Sequence, residues 1–175
     1  MWVFGYGSLM WDPGFDWRAR VPARLSDWRR SFCMTSIHYR GTPDHPGLVL
    51  ALDAVKGGHC DGVAYAVSPD RAAATHAYLR ERELISYAYD ERILPLDLTD
   101  GRRVEALCYV IHRDHDQYCG RLSLEEQAKI IASAAGLRGP NADYLWNTVA
   151  HLGHLGILDP DLDWLAGRAR AIREA

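Results

Sequence analysis

The chain has 175 residues, 48% hydrophobic and 25% charged, a balance that suits one soluble globular domain and argues against disorder or a coiled coil. A chain of this length buries about 68–70% of its unfolded surface, so a core and a pocket need neither disulfides nor a structural metal. The formal net charge of −3 offers no global cationic field for nucleic acid, and the longest apolar runs, such as Gly47 to Leu52, fall far short of the about 20 residues of a membrane-spanning helix.

Met1-Trp2-Val3-Phe4 lacks a basic leader and a small-residue cleavage site. It reads as a first strand and not as an export signal, so a cytoplasmic location is expected. Before Gly41, six arginines (Arg18, Arg20, Arg24, Arg29, Arg30, Arg40) face three aspartates (Asp12, Asp16, Asp27), a local surplus suited to a small anion. Up to about Val67 the pattern is β-rich, with Trp2 to Gly5, Gly47 to Leu52 and Gly62 to Val67 as strands between Gly, Pro and Asp clusters. Ser68-Pro69-Asp70 then opens a helix running from Arg71 to about Leu84. Tyr87 to Leu98 and Arg103 to His112 are strand-like, and Asp100-Gly101 between them signals a hairpin.

The remainder is helical. Ser123-Leu124-Glu125-Glu126 has the spacing of a capping box, with Gly136 after the last periodic residues. Asn141 can cap a helix through about His154, closed by Gly156, and Asp159-Pro160-Asp161 opens a last one toward Ala175. Strands followed by helices, without the alternation or glycine fingerprint of a Rossmann fold, predict an α+β fold with a curved or closed sheet. Cys33, Cys60, Cys108 and Cys119 show no close pairing and read as small hydrophobes.

Four segments could carry chemistry. Gly5-Tyr6-Gly7-Ser8-Leu9 places two glycines around one aromatic, which lets backbone N–H groups approach a ligand as an anion cradle or oxyanion hole. An ordinary strand-to-turn transition has the same form. In Tyr78-Leu79-Arg80-Glu81-Arg82-Glu83-Leu84, helical spacing puts Ala72, His76, Leu79, Glu83 and Tyr87 on one face and Glu81 on the far side. Glu83 thus shares an apolar neighbourhood, which raises a carboxylate pKa toward the range useful for proton transfer. From spacing alone, a solvated face laced by Arg and Glu is the commoner arrangement. Arg40, beside Gly41-Thr42-Pro43, could hold a carboxylate bidentately or sit in a surface turn, and Tyr118 could wall a pocket or cap the core. His112-Arg113-Asp114-His115 and the pair His151, His154 lack a metal-ligand pattern, and Ser8 and Cys33 lack a base at a diagnostic spacing.

Taken together, Trp2 to Trp11, Arg40-Gly41-Thr42-Pro43 with Pro46 to Leu50, Gly62-Val63-Ala64-Tyr65, Tyr78 to Glu83, Tyr118-Cys119-Gly120, and Gly139 to Leu145 with Leu155-Gly156-Ile157 resemble the ChaC-type glutathione-specific gamma-glutamylcyclotransferases over nearly the whole chain. The resemblance implies a gamma-glutamylcyclotransferase-like fold, a small β-barrel or strongly curved mixed sheet with surrounding helices, as a single domain over residues 1–175. It implies a lyase that cyclises the gamma-glutamyl group of glutathione, releasing 5-oxoproline and cysteinylglycine. The gamma-glutamyl group would lie against Gly5, Tyr6, Gly7, Ser8 and Leu9, with Glu83 as the catalytic carboxylate and Arg40 and Tyr118 as further substrate contacts. No cofactor, metal, nucleic acid or membrane is expected. Other gamma-glutamyl amines or amino acids, or a noncatalytic ligand-binding role linked to cation transport, are the alternatives. Met10 and Leu84-Ile85-Ser86-Tyr87 depart from the usual pattern, the latter where many relatives have a Gly-Gly-Tyr break.

Overall fold

The computed structural model describes every residue from Met1 to Ala175. The chain forms two compact units, Met1–Ser31 with Ala51–His115, and Phe32–Leu50 with Asp116–Ala175. The sheet is a closed barrel of strands β1 (Trp2–Gly5), β2 (Ala19–Ser36), β3 (Gly47–Ala66), β4 (Tyr89–Leu98) and β5 (Arg103–Ile111), in the order β1-β3-β2-β4-β5. The expected closed sheet is therefore present.

In the first unit β1 lies between two neighbours. It runs antiparallel to β3, with Phe4 opposite Ala64 and Gly5 opposite Val63, and parallel to β5, with Val3 opposite Leu107. Gly62 permits the close approach to β1, because a Cβ there would lie 2.4 Å from the Gly5 carbonyl oxygen. The β4–β5 hairpin pairs Tyr89 with Ile111 through Asp97 with Arg103. Its turn places Gly101 at φ +90°, the left-handed geometry anticipated from Asp100-Gly101. Val3, Leu9, Val67, Leu79, Leu107 and Tyr109 form a buried apolar cluster.

Two strands differ from expectation for related reasons. The expected strands Gly47 to Leu52 and Gly62 to Val67 become the two ends of one strand, β3, which stops at Ala66, because the Asp53 to Asp61 stretch stays extended despite its Gly57-Gly58. Strand β2 carries no clear signal in the sequence, since its alternation breaks midway. Ala23 and Leu25 are buried before Asp27, whereas Arg30, Phe32 and Met34 are buried after it. Asp27 takes φ +65°, Gly57 takes φ +76°, and the Asp27 side chain accepts the Gly57 N–H at 2.7 Å. One residue out of extended conformation flips which face each later side chain occupies.

Helix α1 (Pro69–Glu83) exposes Glu81 and buries Leu79, as the spacing predicts. Tyr87 is a correction. It lies beyond the helix at φ +55° and is 73% exposed, so it does not extend the face of Ala72, His76, Leu79 and Glu83. The helix stops because Leu84, after bonding back to the Arg80 carbonyl, leaves helical geometry. Tyr87 thus adopts a conformation that glycine takes freely.

The second unit contains α2 (Leu124–Ser133), the short strands β6 (Ala135–Gly136) and β7 (Gly139–Pro140), α3 (Asn141–His154) and α4 (Pro160–Glu174). The capping box at Ser123 forms on both sides, and the Asp159 side chain accepts the Leu162 N–H. Asn141 is not the cap but the first helical residue. Its fully buried side chain accepts the Leu48 N–H at 2.6 Å and donates to the Leu48 carbonyl at 2.7 Å. Close packing also explains the glycines nearby, since a Cβ on Gly47 would lie 2.1 Å from the Arg40 carbonyl oxygen. No disulfide forms among the four cysteines, and no helix is long and apolar enough to cross a membrane.

Candidate active site

The segment after β1 turns immediately into a 3₁₀ turn, Ser8–Met10, with Gly7 at its N-cap. The first amides of such a turn have no acceptor within it, so Gly7, Ser8 and Leu9 present N–H groups at the end of the barrel strand. Side chains from elsewhere in the first unit fix the turn. The Tyr65 hydroxyl donates to the carbonyls of Leu9 and Met10 at 2.9 and 3.0 Å, and Arg20 donates to the Met10 carbonyl at 3.0 Å. Arg30 Nη1 donates to the Tyr6 carbonyl at 2.9 Å. The Tyr6 ring is buried, and its hydroxyl donates to the Tyr109 carbonyl at 2.9 Å, so this tyrosine anchors the loop to β5.

Glu83 ends α1, and its side chain is 19% exposed. Its immediate neighbour Arg82 connects it to the loop. Arg82 Nε lies 3.3 Å from Glu83 Oε1, Nη2 donates to Ser8 Oγ at 3.1 Å, and Nη1 donates to the Asp12 carbonyl at 2.7 Å and the Tyr78 hydroxyl at 3.0 Å. Burial pushes the Glu83 carboxyl above the ordinary range, with Arg82 opposing only in part. Its place at the negative end of the α1 dipole acts in the same direction as burial.

A second carboxylate is pushed the other way. Burial raises Glu91, but hydrogen bonds from His76 and Tyr109 and the charge of Arg80 outweigh it, and the net effect is a lowered value. His76 Nε2 sits 2.9 Å from Glu91 Oε2, Arg80 donates to Oε1 at 3.1 Å, and the Tyr109 hydroxyl donates to Oε2 at 3.0 Å. Burial first, then Glu91 and Glu83, hold the Tyr109 hydroxyl strongly protonated. Two carboxylates whose environments separate their titration are suited to separate tasks: the partners of Glu91 favour its ionised, accepting form, whereas burial makes Glu83 hold its proton more readily than an ordinary glutamate.

Within this unit the structure brings together Gly5 to Leu9 and Glu83, joined through Arg82. Arg40 and Tyr118 belong to the second unit. Arg40 donates through Nη1 to the carbonyls of Arg138 at 2.6 Å and Pro140 at 3.1 Å and stacks 5.6 Å over the Tyr144 ring. Burial lowers its pKa. Tyr118 forms an isolated antiparallel bridge with Met34. Sequence points to Arg20 and Arg30 only as members of the arginine-rich first segment, and assigns no separate role to Arg82, Tyr65, Tyr109 or the Glu91 cluster. Arg82 carried a usable signal, since it stands next to Glu83; the others meet the site only through strand pairing. His112 and His115, with ring centroids 6.4 Å apart, and His151 and His154, 6.1 Å apart, have no third ligand, and no group of three or more His, Cys, Asp or Glu is placed to hold a metal ion.

The family described as ChaC-like protein matches residues 1–169. The chain is 35% identical to Gamma-glutamylcyclotransferase 2-3 of Arabidopsis thaliana, covering 98% of this chain and 89% of that protein. It is 36% identical to the Glutathione-specific gamma-glutamylcyclotransferase of Escherichia coli strain K12, covering 93% of this chain and 70% of that one. The fold is shared with a crystal structure of the glutathione-specific gamma-glutamyl cyclotransferase from yeast, with a TM-score of 0.88 at 24% identity, covering 99% of this chain and 96% of that one. The family match along nearly the whole length, with relatives at 35% and 36% identity, leads to one conclusion: this chain belongs to the ChaC-like family.

Proposed function

We propose that this protein is a lyase that degrades glutathione by intramolecular cyclisation, with Glu83 carrying the proton. The observation that supports this most is the desolvated Glu83 carboxylate, which Arg82 links to Ser8. In the reaction the substrate's α-amino nitrogen attacks its own γ-carbonyl carbon, a five-membered ring closes, and the bond to the cysteinyl nitrogen breaks. Glu83 takes a first proton from the α-ammonium and returns it to the departing nitrogen; the attacking nitrogen sheds a second proton as the lactam forms, which the leaving amine takes up, so 5-oxoproline and cysteinylglycine, the latter as an ammonium, leave with no water consumed. Because nucleophile and electrophile belong to one flexible chain, orientation supplies much of the acceleration. The Gly7 and Ser8 amides stabilise charge on the γ-carbonyl oxygen. No cofactor enters this scheme.

The same reading takes residues 1–175 as one domain, with β2 and β3 each unbroken between the two units, and a cytoplasmic setting with a small anionic peptide as partner. Purified protein should release 5-oxoproline from reduced glutathione faster than from gamma-glutamyl-alanine. A preference for gamma-glutamyl-alanine would assign it to other gamma-glutamyl compounds, and no release from either would favour a noncatalytic role.

Two further results are expected. The acid limb of the kcat/KM profile should lie above the usual glutamate range, since activity rises with pH as Glu83 ionises and its pKa is raised. A limb at or below that range would contradict the assignment. Arg40 and Tyr118 are proposed as further substrate contacts. Arg40→Ala should raise KM more than it lowers kcat, and it should lower Tm as well, because Nη1 holds two carbonyls. Unchanged KM in a folded variant removes Arg40 from the binding set.

A further inference from the structure

We infer that Arg30 is a positioning residue, which aims and polarises the Gly7 N–H by holding the other side of the same peptide bond; this rests on the proposed role of the Gly7 amide. Arg30 is 7% exposed, a costly place for a guanidinium unless its hydrogen bonds serve a purpose. Its Nη1 donates to two carbonyls, Tyr6 at 2.9 Å and Asp61 at 3.0 Å. Asp61, the nearby acid, is itself held by Arg24 through both carboxylate oxygens, at 2.6 and 2.7 Å. The chain has no cis peptide, and in a planar trans peptide the C=O and N–H vectors point in opposite directions. With the Tyr6 carbonyl drawn toward β2 and β3, the Gly7 N–H is turned away from them. The other neighbour of β1 is β5, which carries Tyr109, and the field of Glu83 reaches Tyr109. A cationic donor on the carbonyl also draws electron density from the peptide and strengthens the N–H as a donor.

Placing Arg30 inward requires the irregularity at Asp27. With strict alternation from Ala23 and Leu25, Arg29 would face inward; Asp27 at φ +65° shifts the parity, so Arg30 is buried and Arg29 exposed. The strand thus spends a strained residue to deliver a cation to the back of the loop.

The test compares Arg30→Met, Arg30→Lys and Arg29→Met by 5-oxoproline release, alongside the amide resonance of selectively labelled Gly7. Arg30→Met should lower kcat about ten- to a hundredfold with KM nearly unchanged, since a misaimed donor fails chiefly in the transition state. Arg30→Lys, which keeps the charge with a shorter reach, should fall between, and Arg29→Met should keep kcat. The Gly7 resonance should move upfield in Arg30→Met, partly recover in Arg30→Lys and stay in place in Arg29→Met. Normal kcat, or a Gly7 amide indifferent to Arg30, would overturn the inference; if Arg30→Met does not fold, Arg30→Lys decides by the same two readings. A silent wild type would refute the cyclisation scheme instead, while the Gly7 resonance would still decide whether Arg30 polarises that peptide.

Discussion

Glu83→Gln should lower kcat by about a hundredfold or more while the protein folds and still binds glutathione, because the amide keeps the size and hydrogen bonding of the side chain but cannot accept the proton. Glu81→Gln provides the internal control, since Glu81 is exposed on the opposite side of α1 and should lose little. The same substitution should alter stability in a set direction. A carboxylate whose folded pKa is raised supports the fold while protonated, and that support is lost as pH rises through the folded value. Glu83→Gln should therefore melt higher than wild type at neutral pH, with the gap closing in acid. A variant that is inactive and also melts lower would point to a structural glutamate.

The largest effect on stability is expected at Asn141. Its amide replaces a strand partner for Leu48, meeting both the N–H and the carbonyl from a fully buried position. Asn141→Ala leaves both groups without partners, at about 1–3 kcal/mol each, and for a chain of this size each kcal/mol lowers Tm by about 2–4 °C. A fall of about 10 °C in the calorimetric Tm is the expected outcome. Asn141→Asp sharpens the reading. Ionised, it accepts the Leu48 N–H but faces the Leu48 carbonyl with a negative charge; protonated, it can donate. Its deficit should shrink as pH falls. A Tm for Asn141→Ala within a degree or two of wild type would show that the Leu48 groups find other partners.

The elements readable from sequence were those set by local signals. The hairpin at Asp100-Gly101, the capping box at Ser123 and the opening of α4 at Asp159 depend on residues within a few positions of one another, and each formed. The burial of most of the Glu83 side chain follows in the same way from helical spacing. What sequence hid depends on distant pairing. Strand β2 is rich in arginine and reverses its inward face at Asp27, so no single period describes it. Arg30 consequently resembled its exposed neighbours. Tyr109 and Glu91 meet only across the β4–β5 ladder. Asn141 had the chemistry of a helix cap, but the buried backbone of Leu48 claimed its side chain. The Arg40 Nη1 also serves the carbonyls of Arg138 and Pro140 before α3, contacts that no local pattern encodes.

The proposed attack on the γ-carbonyl by the substrate's own amine, and not by water, leaves a distinct isotopic signature. Turnover of reduced glutathione in ¹⁸O-enriched water, followed by mass spectrometry of the products, separates the two directly. Cyclisation predicts 5-oxoproline without solvent oxygen, formed one-to-one with cysteinylglycine and lost in Glu83→Gln. Glutamate carrying one ¹⁸O as the primary product would mean hydrolysis by water and rule out cyclisation.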